Sequence, residues 1–133
     1  MFDKPDADCA LRGNVFNPAC PAREILEQLS EKWSLLLLHL LSAGPRRTAD
    51  LRRDIGGVSE KMLIQTLRKL ERNGFVERRA YPEVPPRVDY RLTELGQALA
   101  PVVRQFDLWI EQQIPQVLAA RQQFDARASG DAP

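Results

Sequence analysis

A chain of 133 residues, 44% hydrophobic and 28% charged, is long enough for one modest core and short for several domains. No apolar run approaches the ~18 residues of a membrane span, and two cysteines are too few for a disulfide framework, so a cytoplasmic globular protein with no membrane partner is expected. The formal charge of +1 hides an uneven distribution: residues 46–91 hold twelve Lys/Arg against seven Asp/Glu, a local +5, while residues 1–45 and 92–133 each sum to −2.

Residues 1–19 are polar and broken by Pro5, Gly13 and Pro18, which predicts a flexible N-terminal arm. Cys20 directly precedes Pro21, a residue suited to begin a helix, here running through Ile25, Leu26 and Leu29 to about residues 30–32. Trp33 to Leu41 is the most apolar stretch and stops at Gly44-Pro45. It predicts a central buried helix in which Ser34 and His39 need polar company. Thr48 is placed to cap a short helix carrying Ala49, Leu51 and Ile55, ended by Gly56-Gly57.

Ser59 to Gly74 reads S-E-K-M-L-I-Q-T-L-R-K-L-E-R-N-G. At helical spacing Leu63, Leu67 and Leu70 share one side, while Lys61, Gln65, Arg68 and Arg72 gather within about 60° on the other. Ser59 is a natural cap and Asn73-Gly74 a natural stop. Two helices joined by a glycine-containing turn, the second with a cationic and amide face, form the helix-turn-helix arrangement.

From Phe75 the apolar period changes to two. Residues 75–81 and 87–92 predict two strands around Pro82-Glu83-Val84-Pro85-Pro86, too proline-rich for a strand interior. Following a helix-turn-helix, such a ribbon is a wing. Thr93 then opens a helix whose apolar side carries Leu95, Leu99, Val102, Phe106, Trp109, Ile110 and Val117. Pro101 predicts a kink or a short first segment, and Pro115 a division into a second short helix ending before Ala128, with a fraying tail. The fold class expected is mainly α with a small two-stranded antiparallel wing: a winged helix-turn-helix domain over 20–112 with added N- and C-terminal dimerisation helices, then a C-terminal helix and frayed tail over 113–133. Ile25, Phe106, Trp109 and Ile110 are expected at a dimer interface; folding back to complete a monomer is the alternative.

The residues offer little to catalysis. His39 stands alone in an apolar helix, and there is no glycine-rich phosphate loop, G-x-S-x-G, H-E-x-x-H or metal-ligand set. No enzyme, metal or cofactor is expected. Nucleic acid suits the pattern better: Lys61 and Arg68 can donate to guanine, Gln65 can pair with adenine, and Ser59 with the adjoining amides can hold a phosphate. Arg72 completes that face, and Arg78, Arg79 and Arg87 on the ribbon are placed to hold flanking phosphates. Arg46, Arg47, Arg52 and Arg53 form a second basic patch, unless Arg52 and Arg53 pair with Asp50 and Asp54 and Arg47 with Asp50; Glu71 is an equally ordinary partner for Arg68 or Arg72. Cys20, at a predicted helix start that favours a thiolate, is either a sensor of oxidants and electrophiles or a small packed residue; Cys9 is a possible second, resolving thiol.

The strings C-P at 20–21, E-K-W-S-L-L-L-L at 31–38, L-R-R-D-I-G-G-V-S-E-K-M-L at 51–63, L-R-K-L-E-R-N-G-F-V at 67–76, Y-P-E-V-P-P-R-V-D-Y at 81–90 and L-T-E-L-G at 92–96 resemble the HxlR-type winged helix-turn-helix regulators over residues 20–110. The resemblance implies a dimeric bacterial transcription factor, with its recognition helix at 59–73, its wing at 75–92, and repression as the more usual mode. Several such relatives sense quinones, aldehydes, hypochlorite or other thiol-reactive stress through a cysteine matching Cys20, while others carry it with no redox role. One departure is visible: relatives place an aromatic residue in an R-F-x-x-L pattern where this chain has Thr48 in R-R-T-A-D-L. The reading is a sequence-specific regulator binding double-stranded DNA as a homodimer on a palindromic operator, switched by thiol modification of Cys20. The alternatives are a small-molecule-responsive regulator with a ligand pocket at the dimer interface near Trp33, His39 and Trp109, or a winged-helix protein-binding module.

Overall fold

A computed structural model describes Cys9 and residues 11–130. Earlier positions of the expected arm, and the last three of the expected tail, lie outside the described residues. The chain divides into two compact units, one up to residue 100 and one from residue 101. Its elements are α1 (Pro21–Leu29), α2 (Lys32–Leu41), β1 (Arg46–Arg47), α3 (Thr48–Asp54), α4 (Glu60–Arg72), β2 (Val76–Tyr81), β3 (Arg87–Leu92) and α5 (Glu94–Gly130).

The first unit is organised around leucines. Leu37, Leu38 and Leu41 of α2, Leu51 of α3, and Leu63, Leu67 and Leu70 of α4 are all buried, with Val76, Tyr90 and Leu92 of the sheet beside them. Each such side chain contributes roughly 1.5–3 kcal/mol, against about 0–1 for an exposed ion pair. The helical frame is therefore set by the apolar faces and not by the charged surface. Ser34, wholly buried in α2, finds its polar company in the Gln28 carbonyl, to which its hydroxyl donates at 2.8 Å. His39 is half-buried. Thr66, buried in α4, donates back to the Met62 carbonyl at 2.8 Å.

Thr48 does not cap α3. The N-cap is Arg47, and Thr48 is already helical, because residues 46–47 are taken up in β1. That strand pairs antiparallel with β3, Arg46 opposite Tyr90 and Arg47 opposite Asp89. The wing is thus the outer part of a three-stranded sheet of order β1-β3-β2. Placing β3 in the middle also alters the expected alternation: Asp89 is buried as well as Tyr90 and Leu92, while Val88 is half-buried.

At the start of α5, the Gly96 amide donates to the Thr93 hydroxyl oxygen at 3.1 Å, and that hydroxyl donates to the Gly74 carbonyl. The Thr93 amide donates to the Phe75 carbonyl at 3.0 Å. The break expected at Pro115, and the fraying expected from Arg127 to Gly130, are not found: α5 is helical from Glu94 to Gly130 with Pro101 and Pro115 inside it. Each proline removes one backbone hydrogen bond. The Ala, Leu, Gln, Glu and Arg residues around them are strong helix formers, and the helix continues across both.

Candidate nucleic-acid interface

Helix α4 is positioned by its own ends. The Ser59 hydroxyl oxygen accepts the Met62 amide at 3.1 Å, satisfying one orphan donor of the first turn. At the other end Gly74 takes a φ of +80° and Phe75 donates back to the Leu70 carbonyl at 2.9 Å. Polar contacts then tie its last turns to α1 and the corner after it. The Asn73 side-chain amide donates to Gln28 Oε1 at 2.6 Å, Lys69 pairs with Glu31 at 3.4 Å, and Arg72 approaches Glu24 at 3.9 Å.

The buried side of α4 is Leu63, Thr66, Leu67 and Leu70. Lys61, Gln65, Arg68 and Arg72 are all exposed, as the periodicity predicts. Among the described residues no hydrogen bond or ion pair engages Lys61, Gln65 or Arg68, whereas Arg72 has Glu24. The Ser59 oxygen is occupied as an acceptor, but its hydroxyl proton remains for a further partner.

The turn into α4 uses Gly57 at φ +88°, a conformation that favours glycine. Most of the second basic patch is neutralised locally: Arg46 pairs with Asp54, Arg53 with Asp50 at 3.1 Å and Asp54 at 3.7 Å, and Arg52 approaches Glu60 at 3.8 Å. Arg47 is the exception among the described residues; it is exposed and no such pair engages it.

The register of the wing sorts its arginines by face. Glu77 stands opposite Arg91, Arg79 opposite Asp89 and Tyr81 opposite Arg87, and paired residues share a face. On that face Arg79 pairs with Glu77 at 3.2 Å, and Arg91 lies 3.8 Å from Glu77 and 3.4 Å from Asp89. Arg91 also donates to the Tyr81 hydroxyl at 2.9 Å, and the Arg87 guanidinium stacks 4.1 Å above the Tyr81 ring. Arg78 stands opposite Tyr90 on the other face, exposed and, among the described residues, unpaired. Arg91 is not among the site residues that the sequence singles out, because its partner Glu77 lies across the ribbon and only the register sets the two opposite each other.

Cys9 and Cys20 are joined by a disulfide, and Cys20 is buried as the N-cap of α1. Ile25 of α1 is half-buried, and on α5 Phe106, Trp109 and Ile110 are exposed. Cavities among the described residues of the first unit include two shallow ones. One is lined by residues of α3 and α4 including Arg52 and Glu60; the other lies by the end of α2 with Arg91 and Gln97. Among the described residues no group of His, Cys, Asp and Glu is placed to hold a metal ion, and no helix is long and apolar enough to cross a membrane.

Comparison with known proteins fits this geometry. A family model described as HxlR-like helix-turn-helix matches residues 28–118. The HTH-type transcriptional regulator YtfH of Escherichia coli (strain K12) is 50% identical over 117 residues, 88% of this chain and 90% of its own. The solved structure of the transcriptional regulator ytfH from Salmonella typhimurium has a TM-score of 0.78 at 49% identity, covering 82% of this chain and 97% of that one. The redox regulator HypR in its oxidised form has a TM-score of 0.65 at 38% identity, over 70% and 96% of the two chains.

Proposed function

The chain belongs to the HxlR-like helix-turn-helix family of transcriptional regulators, and from that premise we propose that it binds a palindromic operator in double-stranded DNA as a cytoplasmic homodimer and represses by occluding a promoter. The observation that carries this reading is the outer face of α4, where Lys61, Gln65 and Arg68 are exposed and unengaged among the described residues. In the reading, α4 enters the major groove, where Lys61 and Arg68 donate to guanine edges or phosphates and Gln65 pairs with adenine. Arg72 and the Ser59 hydroxyl contact the backbone at either end. Arg78 holds a flanking phosphate from the wing, with Arg79 and Arg87 contributing where their Glu77 and Tyr81 contacts give way. The second copy docks through Ile25, Phe106, Trp109 and Ile110.

The same proposal makes Cys20 a thiol switch with Cys9 as its partner. Two observations support it: the bridge between these residues, and the likeness to a protein described as a redox regulator and solved in an oxidised form. The test is DNA binding by the purified dimer to its own upstream region across a salt series. A regulator making 6–10 phosphate contacts loses about a thousand-fold or more in affinity between ~50 and ~200 mM salt. A shallow salt dependence, with equal affinity for unrelated DNA, would favour a protein-binding module instead. Repeating the titration with oxidised and reduced protein tests the switch: equal operator affinity in both removes it.

A further inference from the structure

The segment before α1 is a folded set of turns. The buried Asn17 accepts the Ala19 amide on its side-chain oxygen at 2.9 Å, donates from its own amide to the Asn14 carbonyl at 3.2 Å, and accepts the Cys20 amide on its carbonyl at 3.0 Å. Gly13 lies so close to α1 that a Cβ there would stand 2.6 Å from the Cβ of Ala22. Cys20 is therefore fixed from both sides in sequence, and the bridge to Cys9 closes over the turns between them.

The two sulfurs of the bridge are not equivalent. Cys20 is 2% exposed, and the Asn14 amide donates to its Sγ at 3.4 Å. Cys9 is only half-buried, and among the described residues no donor is aimed at its sulfur.

We propose that the bridge exchanges with low-molecular-weight thiols at one sulfur only: Cys9 is the sulfur that takes and carries the thiol adduct, and Cys20 is the sulfur that leaves. The proposal deepens the switch reading above and rests on it for its regulatory meaning. An incoming thiolate RS⁻ must approach a disulfide sulfur from behind, along the S–S axis. Cys20, buried, offers such a thiolate little access, and the half-buried Cys9 offers more. Attack at Cys9 forms the R–S–S–Cys9 bond and breaks the Cys9–Cys20 bond, whose electron pair departs on Cys20 as a thiolate. That thiolate keeps the Asn14 N–H as a donor, which favours it as the leaving group. A second RS⁻ attacking the adduct releases RSSR and leaves Cys9 as thiolate. In reverse, Cys20 thiolate attacks the Cys9 adduct, re-forms the bridge and expels RS⁻.

The experiment uses the full-length protein oxidised with diamide and then mixed with glutathione. The reaction is stopped with acid within seconds, free thiols are alkylated, and the chain is cut with trypsin. Cleavage after Arg12 puts the two cysteines on separate peptides. The expected product has glutathione on the Cys9 peptide and the alkyl group on the Cys20 peptide, in roughly ten-fold or greater excess over the reverse. Equal partition, or glutathione mainly on Cys20, overturns the proposal. So does oxidised protein whose two cysteines both alkylate before any thiol is added. Asn14→Pro removes the N–H on the sulfur and should lower the excess, while Asn14→Ala keeps it and should not; identical behaviour of the two variants overturns the role given to that amide. Operator affinity on the same samples is a separate readout: no change between bridged and opened protein sinks the switch reading while the choice of Cys9 as the attacked sulfur stands.

Discussion

Two residues show how differently single atoms act in this chain. At Gly96 a hydrogen stands where a Cβ would lie 2.1 Å from the Phe75 carbonyl oxygen and 3.1 Å from Leu92 Cδ2. Both neighbours are held, the carbonyl by the Thr93 amide and Leu92 by its place in β3. Gly96→Ala therefore forces the first turn of α5 away from the sheet and is expected to destabilise the protein by about 1–3 kcal/mol in denaturant unfolding. Unchanged stability would mean that α5 shifts freely at this point. Gln65 is the contrary case: exposed and unengaged among the described residues, it contributes nothing visible to the fold. Gln65→Ala should leave the unfolding midpoint alone and cost ~1–3 kcal/mol at the cognate operator, with relaxed discrimination at one or two base pairs. Equal weakening on cognate and random DNA would show that Gln65 reads no base.

Among the elements, the wing divides its work by face. Arg79 and Arg87 share a face with Glu77, Asp89 and Tyr81 and are already engaged there, whereas Arg78 is on the opposite face without such a pairing. Bringing a phosphate to Arg79 means giving up the Glu77 contact; bringing one to Arg78 gives up only water. Arg78→Ala should thus reduce affinity on all DNA sequences and lower the slope of log affinity against log salt by about one per subunit, and Arg79→Ala should do less. A larger effect for Arg79 would place the DNA on the other face of the ribbon. Helix α4 was legible in the sequence because Leu63, Leu67 and Leu70 repeat at helical spacing between a serine cap and a glycine stop. Strand β1 was not, because two arginines have no period; only pairing with β3 makes them a strand and moves the α3 cap to Arg47. The continuity of α5 was hidden too, since a proline announces a missing hydrogen bond but not whether the turns around it hold. The charged residues divide in the same way: Arg53 pairs with Asp50 and Asp54 inside its own helix, as their spacing allows, whereas the set of contacts around Glu77 that engages Arg79 and Arg91 needs the strand register.

For the whole molecule, what matters is what covers α5. Within its second unit Ile110, Val117 and Phe124 recur every seven residues, and all three are exposed, as are Phe106, Trp109 and Ile114. Large apolar side chains at that spacing form a seam suited to another helix, and a second copy of this chain is the partner that the proposed operator symmetry requires. Two linked recognition helices raise affinity for a palindrome far beyond that of one, commonly by 10²-fold or more. Trp109→Glu puts a charge in the seam without touching the buried leucines of the first unit, so circular dichroism should report an intact fold. Sedimentation should then show a monomer at concentrations where the parent chain is a dimer. Affinity for the full operator should fall by about 10²-fold while affinity for an isolated half-site stays the same, and the salt slope should drop to roughly half because half as many phosphates are contacted at once. A Trp109→Glu protein that still sediments as a dimer would move the association away from this seam. One that sediments as a monomer yet binds the full operator unchanged would separate dimerisation from recognition, and the two-fold arrangement would then have no part in how this chain finds its site.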